Sequence, residues 1–229
     1  MSSHERIYQE MALAYDEMIA RQPDLSPVLR EIRSWKGLDV LDLGAGSGRL
    51  SRVMASDARS LVCTDGSPHM LELLERKLAH AAVTRNWITK VADHRQLPFN
   101  DGSLDLVVAG WTIGYLANTD ITDWHTNLSC ILSEHHRVLR PDGTIIILET
   151  MGTGTETPQP PESLIPYYEA LVNEYGFSQR TIRMDYRFDS PSEAQSHMAF
   201  FFGDSLAAKI EKLGWLTVPE WAGIWWKHE

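Results

Sequence analysis

The sequence predicts a doubly wound α/β fold, and two observations carry that expectation. The first is the stretch VLDLGAGSGRL at 40–50. Val40 to Leu43 has the aliphatic, β-branched composition of a buried strand. Gly44, Gly46 and Gly48 follow at alternate positions, and Leu50, Val53 and Met54 then recur at helical spacing. The second is repetition: strand-like runs at 60–64, 87–91, 104–109 and 144–150 alternate with helix-like segments. Strand, glycine turn and helix in that order place backbone N–H groups at a helix N-terminus, where the polar or anionic end of a ligand is attracted. A tight turn that uses glycine only for its dihedrals is the plainer alternative.

Taken in order, residues 4–21 read as an amphipathic helix with Ile7, Met11, Ala14 and Met18 on one face and Tyr8 and Tyr15 beside it. Pro23 and Pro27 interrupt before a second helical piece at 26–34. An aromatic on a leading helix can close over a ligand or simply pack; both readings stand for Tyr15, and packing is preferred for Tyr8. Helix 47–56 leads to a second strand, 60–64, ending at Asp65. An acid at that tip faces the crevice and can accept hydrogen bonds from both hydroxyls of a ribose. Ser67 and Pro68 begin a helix over 67–80, with Met70, Leu74 and Leu78 on its apolar face. The strand 87–91 delivers Ala92, Asp93 and His94, and Leu97, Pro98 and Phe99 cross towards the strand 104–109.

That fourth strand opens into GWTIGYL at 110–116, aromatic and glycine-rich where a loop is usually polar. Helix 121–139, the turn Arg140 to Gly143 and strand 144–150 come next, then a glycine- and proline-rich loop, GTGTETPQPP, at 152–161. The remainder reads as a helix at 162–175, stopped by Gly176, a sixth strand at 181–188, helices at about 191–202 and 204–213, and a last strand at 220–227. About 30 residues separate the last two strands and carry Phe200, Phe201 and Phe202. They form either a cap over the substrate side or extra core.

Composition narrows the partners. A hydrophobic fraction of 43% and a charged fraction of 23% are those of a globular protein, and a net charge of −10 disfavours nucleic acid and anionic membrane. A small-molecule substrate is favoured. The cysteines, Cys63 and Cys130, sit in apolar segments without metal-type pairing and read as buried free thiols. No set of His, Cys and carboxylates has ligand spacing, so no metal is expected. The N-terminus lacks a signal-peptide core and no run reaches membrane-spanning length, so a cytoplasmic location is expected. Oligomeric state stays open.

A dinucleotide turn needs its third glycine where this chain has Arg49; here that glycine comes one residue early, at Gly48. The glycine turn with Asp42 beneath it, Asp65, the segment around Asp93, and the Arg140 to Gly143 turn occur in order. Together they resemble the class I, Rossmann-like S-adenosylmethionine-dependent methyltransferases, of the methyltransferase type 11 kind. The turn departs from the family's proline with two glycines by placing Asp142 at the first of them.

The resemblance implies one domain over 1–229, with a seven-stranded, mostly parallel sheet whose last strand is antiparallel. The cofactor-binding core is expected at 37–150, and the leading helices at 1–36 are read as a lid. In the C-terminal part at 151–229 the insert before the last strand, longer than the family's usual short connection, is read as a substrate cap near 189–214. S-adenosylmethionine would lie across the strand ends and leave as S-adenosylhomocysteine. Gly44, Ala45 and Gly46 above Asp42 would take the methionine end, and Asp65 with Gly66 and Ser67 the ribose. Ala92, Asp93 and the backbone of His94 would take adenine, Met70 or Trp111 would cover the ring, and Tyr15 and Gly110 would complete the site.

The methyl group arrives activated, so catalysis is by proximity and alignment, and a base is needed only for a protonated nucleophile. Candidates are Tyr115, His125 and Glu149, against plainer roles in packing, as a solvated helical histidine and as a capping or salt-bridged acid. His135 and His136 are expected to be structural. The implied activity is methyl transfer to a small-molecule acceptor, at oxygen or nitrogen by preference. A non-catalytic cofactor-binding sensor or accessory protein is the alternative, and an NAD-dependent oxidoreductase is disfavoured by Arg49 and the Asp93 segment.

Overall fold

The computed structural model describes residues 12–81 and 86–229. Seven strands form the central sheet: β1 (Asp39–Leu43), β2 (Ser60–Asp65), β3 (Trp87–Val91), β4 (Leu104–Gly110), β5 (Leu139–Thr153), β6 (Ser178–Arg183) and β9 (Glu220–His228). Their spatial order is β3-β2-β1-β4-β5-β9-β6, parallel throughout except β9, which runs antiparallel to both neighbours. The strand order reverses between β1 and β4, the switch point where a doubly wound sheet opens a crevice at its carboxyl edge. The expected seven strands with an antiparallel last strand are therefore observed.

Alternating side chains of the strands feed two separate cores. Val40, Leu61, Val108 and Ile146 pack with Leu29, Trp35 and Leu74 on one face; Leu41, Val107 and Ile147 pack with Leu128, Ile131 and Trp225 on the other. The helices are α1 (Ala12–Ile19), α2 (Ser26–Ile32), α3 (Ser51–Met54), α4 (Pro68–His80), α5 (Trp124–Val138), α6 (Ile165–Asn173), α7 (Pro191–Phe202) and α8 (Asp204–Leu213). Two further strands, β7 (Tyr186–Arg187) and β8 (Thr217–Val218), pair only with each other. They sit with α1, α7 and α8 around a third apolar cluster containing Met18, Ile19, Phe188, Met198 and Ile210. No described helix is long and apolar enough to cross a membrane.

Four expectations are corrected. The regular part of the helix read at 47–56 is only Ser51–Met54, because turns continue past the glycines, with Gly48 N–H donating to the Ala45 carbonyl at 2.9 Å. The single strand read at 181–188 is divided: Ser178–Arg183 joins the sheet, and Tyr186–Arg187 leaves it for the small β7–β8 ladder. Cys63 is buried but Cys130 is exposed, because it falls on the solvent stripe of α5 between the buried positions Leu128 and Ile131. The turn at 140–143 is folded into β5 as an irregularity, where Leu139 pairs with Leu104 and Thr144 with Leu106. Of the first predicted helix, Ile7, Tyr8 and Met11 lie outside the described residues.

Asp142 has φ of 66° in that irregularity, the left-handed region where a side chain costs backbone energy. Its side chain is exposed. Asp142→Gly should therefore raise stability by about 0.5–1 kcal/mol, or about 2 °C in Tm for a chain of this size. Thermal unfolding of the pair checks this; a lower Tm would mean that the Asp142 carboxylate itself holds the turn.

Candidate active site

A cavity of about 1460 Å³ opens at the carboxyl ends of β1, β2, β4 and β5, bounded by the glycine turn, the loop after β4, β9 and the α1–α7 side. The glycine turn is held from below. Ala45 N–H donates to the Thr64 carbonyl at 2.8 Å, and Gly46 N–H to Asp65 Oδ2 at 2.9 Å. The N–H groups expected to be bare at this turn are thus already used inside the chain. Gly44 is required by its φ of 65° and by crowding, since a Cβ there would stand 2.1 Å from Thr112 Oγ1.

Asp65 accepts from Ser67 N–H at 2.8 Å through its other oxygen, so one carboxylate joins the glycine turn to the start of α4. Burial raises its pKa, and the hydrogen bonds from Ser67 and Gly46 oppose that rise. Asp42 is buried under the turn and accepts from Ser51 Oγ at 2.5 Å; burial pushes its carboxyl up to about 7, with Asp65 adding repulsion.

The α1 side is tied to this turn by polar contacts. Ser47 Oγ donates to Asp16 Oδ1 at 2.8 Å, Lys77 pairs with the same carboxylate, and Lys77 Nζ donates to the Ser47 carbonyl at 2.7 Å. Arg21, two residues past α1, pairs with Glu193 of α7, so this segment connects the glycine turn to α7. Tyr15 meets Phe201 with ring centroids 5.2 Å apart, and both line the cavity.

The opposite wall comes from the ends of β4, β5 and β9. Glu149 is buried, accepts from Gly114 N–H at 2.9 Å, and is pushed up to about 7 by burial. The buried Tyr167 hydroxyl lies beside it, outside ordinary hydrogen-bond geometry. Glu220, at the start of β9, is pushed up to about 8 by burial. Arg49 crosses from the glycine turn and stacks its guanidinium over Trp111, 3.7 Å from the ring centroid. Trp111 has φ of 52°, a strained value for a bulky residue, and its N–H donates to the Leu148 carbonyl at 2.7 Å.

Most residues singled out from the sequence meet here: Tyr15, Asp42, Gly44, Ala45 and Gly46 line the cavity, as do Asp65, Gly66, Ser67 and Met70. Gly110, Trp111, Tyr115 and Glu149 line it from the β4–β5 side. Four are not brought to its wall. Ala92 spends its N–H on the Asp65 carbonyl at 3.2 Å, beside the cavity. The Asp93 carboxylate is taken by Arg95, at 3.0 Å from Nε and 2.7 Å from Nη2. The His94 ring is buried and shares a 2.7 Å hydrogen bond with Thr112 Oγ1, behind the glycine turn. His125 stands exposed on α5 and bonds Glu174 at 2.9 Å, a surface pair.

Arg49, Thr112, Tyr186 and Glu220 line the cavity and were not picked from the sequence as site residues. For Arg49 the signal was present, since a charged residue beside a ligand-type glycine turn faces either solvent or the ligand. Among the described residues, no group of His, Cys and carboxylates could hold a metal ion.

A sheet of this order with a glycine turn and acids at its strand ends defines the class I methyltransferase architecture. Residues 41–147, a little under half of the chain, match the family described as methyltransferase domain. It is 32% identical over 157 residues to the demethylmenaquinone methyltransferase of Lactococcus lactis subsp. lactis, covering 64% of this chain and 58% of that protein. It is 27% identical over 150 residues to the malonyl-[acyl-carrier protein] O-methyltransferase of Serratia marcescens, covering 65% of this chain and 52% of that one. The chain spans about half the length of the curated relatives it matches. A SAM dependent methyltransferase from Aquifex aeolicus superposes with a TM-score of 0.61 at 15% identity, over 97% of this chain and 98% of that one; it shares the fold.

The buried acids give stability a pH dependence. Unfolded carboxyls titrate at roughly 4, so across the range up to about 7 or 8 the folded chain holds more protons at Asp42, Glu149 and Glu220. Stability from these groups is present at low pH and is lost as pH rises through the folded values. Two histidines act in the opposite direction: His94 and His135 are held down to about 4 and about 3, chiefly by burial. Their contribution is lost as pH falls below the ordinary histidine value, and they are silent above about pH 7. Denaturant unfolding should show stability declining between about pH 6.5 and 8 and levelling above the folded values, and Glu149→Gln should lessen the slope by about 0.7 kcal/mol per pH unit near pH 7, where the carboxyl is half-protonated. Equal slopes in both proteins would mean that Glu149 is already ionised at neutral pH.

Proposed function

We propose that the protein transfers a methyl group from S-adenosylmethionine to a small-molecule acceptor in the cytoplasm, with neither nucleic acid nor membrane as partner. The observation that carries this reading is the set of acids around one cavity at the switch point, Asp42 and Glu149 buried and Asp65 half-buried. Arg49 is the one lysine or arginine among the described residues lining it. Such a wall suits a ligand that brings positive charge, and a sulfonium with an ammonium group does so.

When bound, S-adenosylmethionine supplies a methyl group already activated on sulfur. The chain's part is to bind, orient and exclude water. Asp65, beyond its bonds to the Gly46, Ser67 and Gly66 N–H groups, would accept from the ribose hydroxyls. Gly44, Ala45 and Gly46 would carry the methionine end above Asp42. Asp93 can serve adenine only by turning from Arg95, so the adenine edge rests on Ala92, on the His94 backbone, and on Met70 or Trp111 as cover.

Among Tyr115, His125 and Glu149, the reading favours Glu149 as base. It faces the cavity and its carboxyl sits at about 7, suited to taking a proton from a hydroxyl or ammonium acceptor at neutral pH. This favours oxygen or nitrogen as the methylated atom. The cap side with Tyr15 and Phe201 would exclude water.

The deciding experiment pairs calorimetry for S-adenosylhomocysteine with turnover of methyl-labelled cofactor against a metabolite panel. Saturable binding and label transfer are expected, without binding of NAD; comparable NAD affinity would end the reading, and binding without transfer to any metabolite would mark a sensor. Asp65→Ala should weaken S-adenosylhomocysteine by more than Asp93→Ala, on the scale of about 1.5–3 kcal/mol per charged hydrogen bond. Glu149→Gln should lower turnover while leaving S-adenosylhomocysteine affinity within about threefold. Unchanged turnover in that variant would remove Glu149 as base.

A further inference from the structure

Arg49, which lines the cavity, has a guanidinium nitrogen left without a hydrogen-bond partner among the described residues. The guanidinium lies on Trp111, and this nitrogen, Nη2, is sealed from solvent. A guanidinium stays charged inside a protein, and a buried charge is ordinarily paired. The acid facing it, Glu220, is 4% exposed and feels the Arg49 charge, yet Arg49 Nη2 and Glu220 Oε2 each stand without a hydrogen-bond partner among the described residues. Glu220 Oε1 accepts a long 3.5 Å contact from Thr150 Oγ1, and the Thr153 hydroxyl stands near the same carboxyl. Both residues line the same cavity, so two unpaired polar atoms of complementary kind face one space.

We propose that Arg49 and Glu220 form a carboxylate-binding subsite, with Arg49 as charge partner and Glu220 as a neutral hydrogen-bond donor; this rests on the methyltransferase reading. Two sources of carboxylate are available to the cavity, the acceptor and the aminoacyl end of the cofactor. The surroundings favour the acceptor. Tyr15 and Tyr186 stand near the guanidinium, Phe201 meets Tyr15, and Phe202 lies edge-on to Tyr186 with centroids 6.2 Å apart. That wall fits the flat body of an aromatic acid.

Charges around Glu220 agree with the donor role. Burial raises its carboxyl, Asp185 raises it further, and Thr153, Arg49 and Thr150 oppose without prevailing. Asp185 also accepts from the Glu220 backbone N–H at 3.1 Å, so it is fixed behind this group. A protonated Glu220 donates to an anion that an ionised one would repel. The strained Trp111 backbone is consistent with a platform kept for the guanidinium.

Calorimetry with three probes tests the proposal: S-adenosylhomocysteine, 5′-methylthioadenosine (which lacks the aminoacyl end), and benzoate added to protein saturated with S-adenosylhomocysteine. If the acceptor supplies the carboxylate, Arg49→Met weakens benzoate at least about tenfold and leaves S-adenosylhomocysteine within about threefold. If the cofactor supplies it, the same variant weakens S-adenosylhomocysteine about tenfold and spares 5′-methylthioadenosine. Benzyl alcohol, the same body without charge, should be indifferent to the substitution. Glu220→Gln keeps a donor and should hold carboxylate affinity within about threefold; a loss equal to that of Arg49→Met would overturn the donor role. Should Arg49→Met misfold by near-ultraviolet circular dichroism, Arg49→Lys replaces it and should still lose affinity, because the fork is gone. The proposal is overturned if neither benzoate nor S-adenosylhomocysteine affinity falls beyond about threefold. Failure of wild type to bind S-adenosylhomocysteine would instead defeat the methyltransferase reading.

Discussion

The carboxyl edge of the sheet depends on Asp65. Its two oxygens accept from Gly46 and Ser67, so a single side chain sets the distance between the glycine turn and the start of α4. Asp42 does the same one strand away through Ser51, at the first residue of α3. Both acids are taken from water to do this, and their pKa values rise as a result. The crevice is thereby a region of low dielectric bordered by acids whose charge is only partly expressed. Positive charge entering it would meet attraction that bulk water does not screen.

The alternation of strands and helices and the place of the glycine turn were legible from local chemistry, whereas the seven-stranded sheet with its antiparallel last strand was legible only through the family resemblance. Val40 to Leu43 could only be a buried strand, and three alternating glycines after it could only be a turn. Helices α7 and α8 were read to the residue, Pro191–Phe202 and Asp204–Leu213, because each boundary has its own local reason. Ser190 caps α7 by accepting from Glu193 N–H at 3.1 Å, and Gly203 and Gly214 end the two helices at positive φ.

What was not legible depends on contacts between distant segments. Nothing local says that Tyr186 leaves the β6 register to pair with Val218, or that Glu220 comes to face Arg49 across the cavity. Asp93 is a different case. Its partner, Arg95, stands two residues away, and the pattern Asp-His-Arg already contained a local ion pair competing with any ligand. Family resemblance placed the acid in a row of motifs; the geometry places its carboxylate on a neighbouring guanidinium. The first helix shows the converse. Lid and packing were weighed as alternatives, yet α1 packs into the cap cluster through Met18 and Ile19 while Tyr15 faces the cavity.

The third apolar cluster shares none of its buried residues with the two that sandwich the sheet. Changes in separate clusters add with little interference. Substitutions at Phe201 and Phe202 therefore reshape the aromatic wall with little effect on the packing beneath the glycine turn. Drift and selection can act on the two halves at different tempos. A lineage carrying this chain can explore new pocket shapes by ordinary neutral variation while the strand-end machinery stays under its own, stricter constraint.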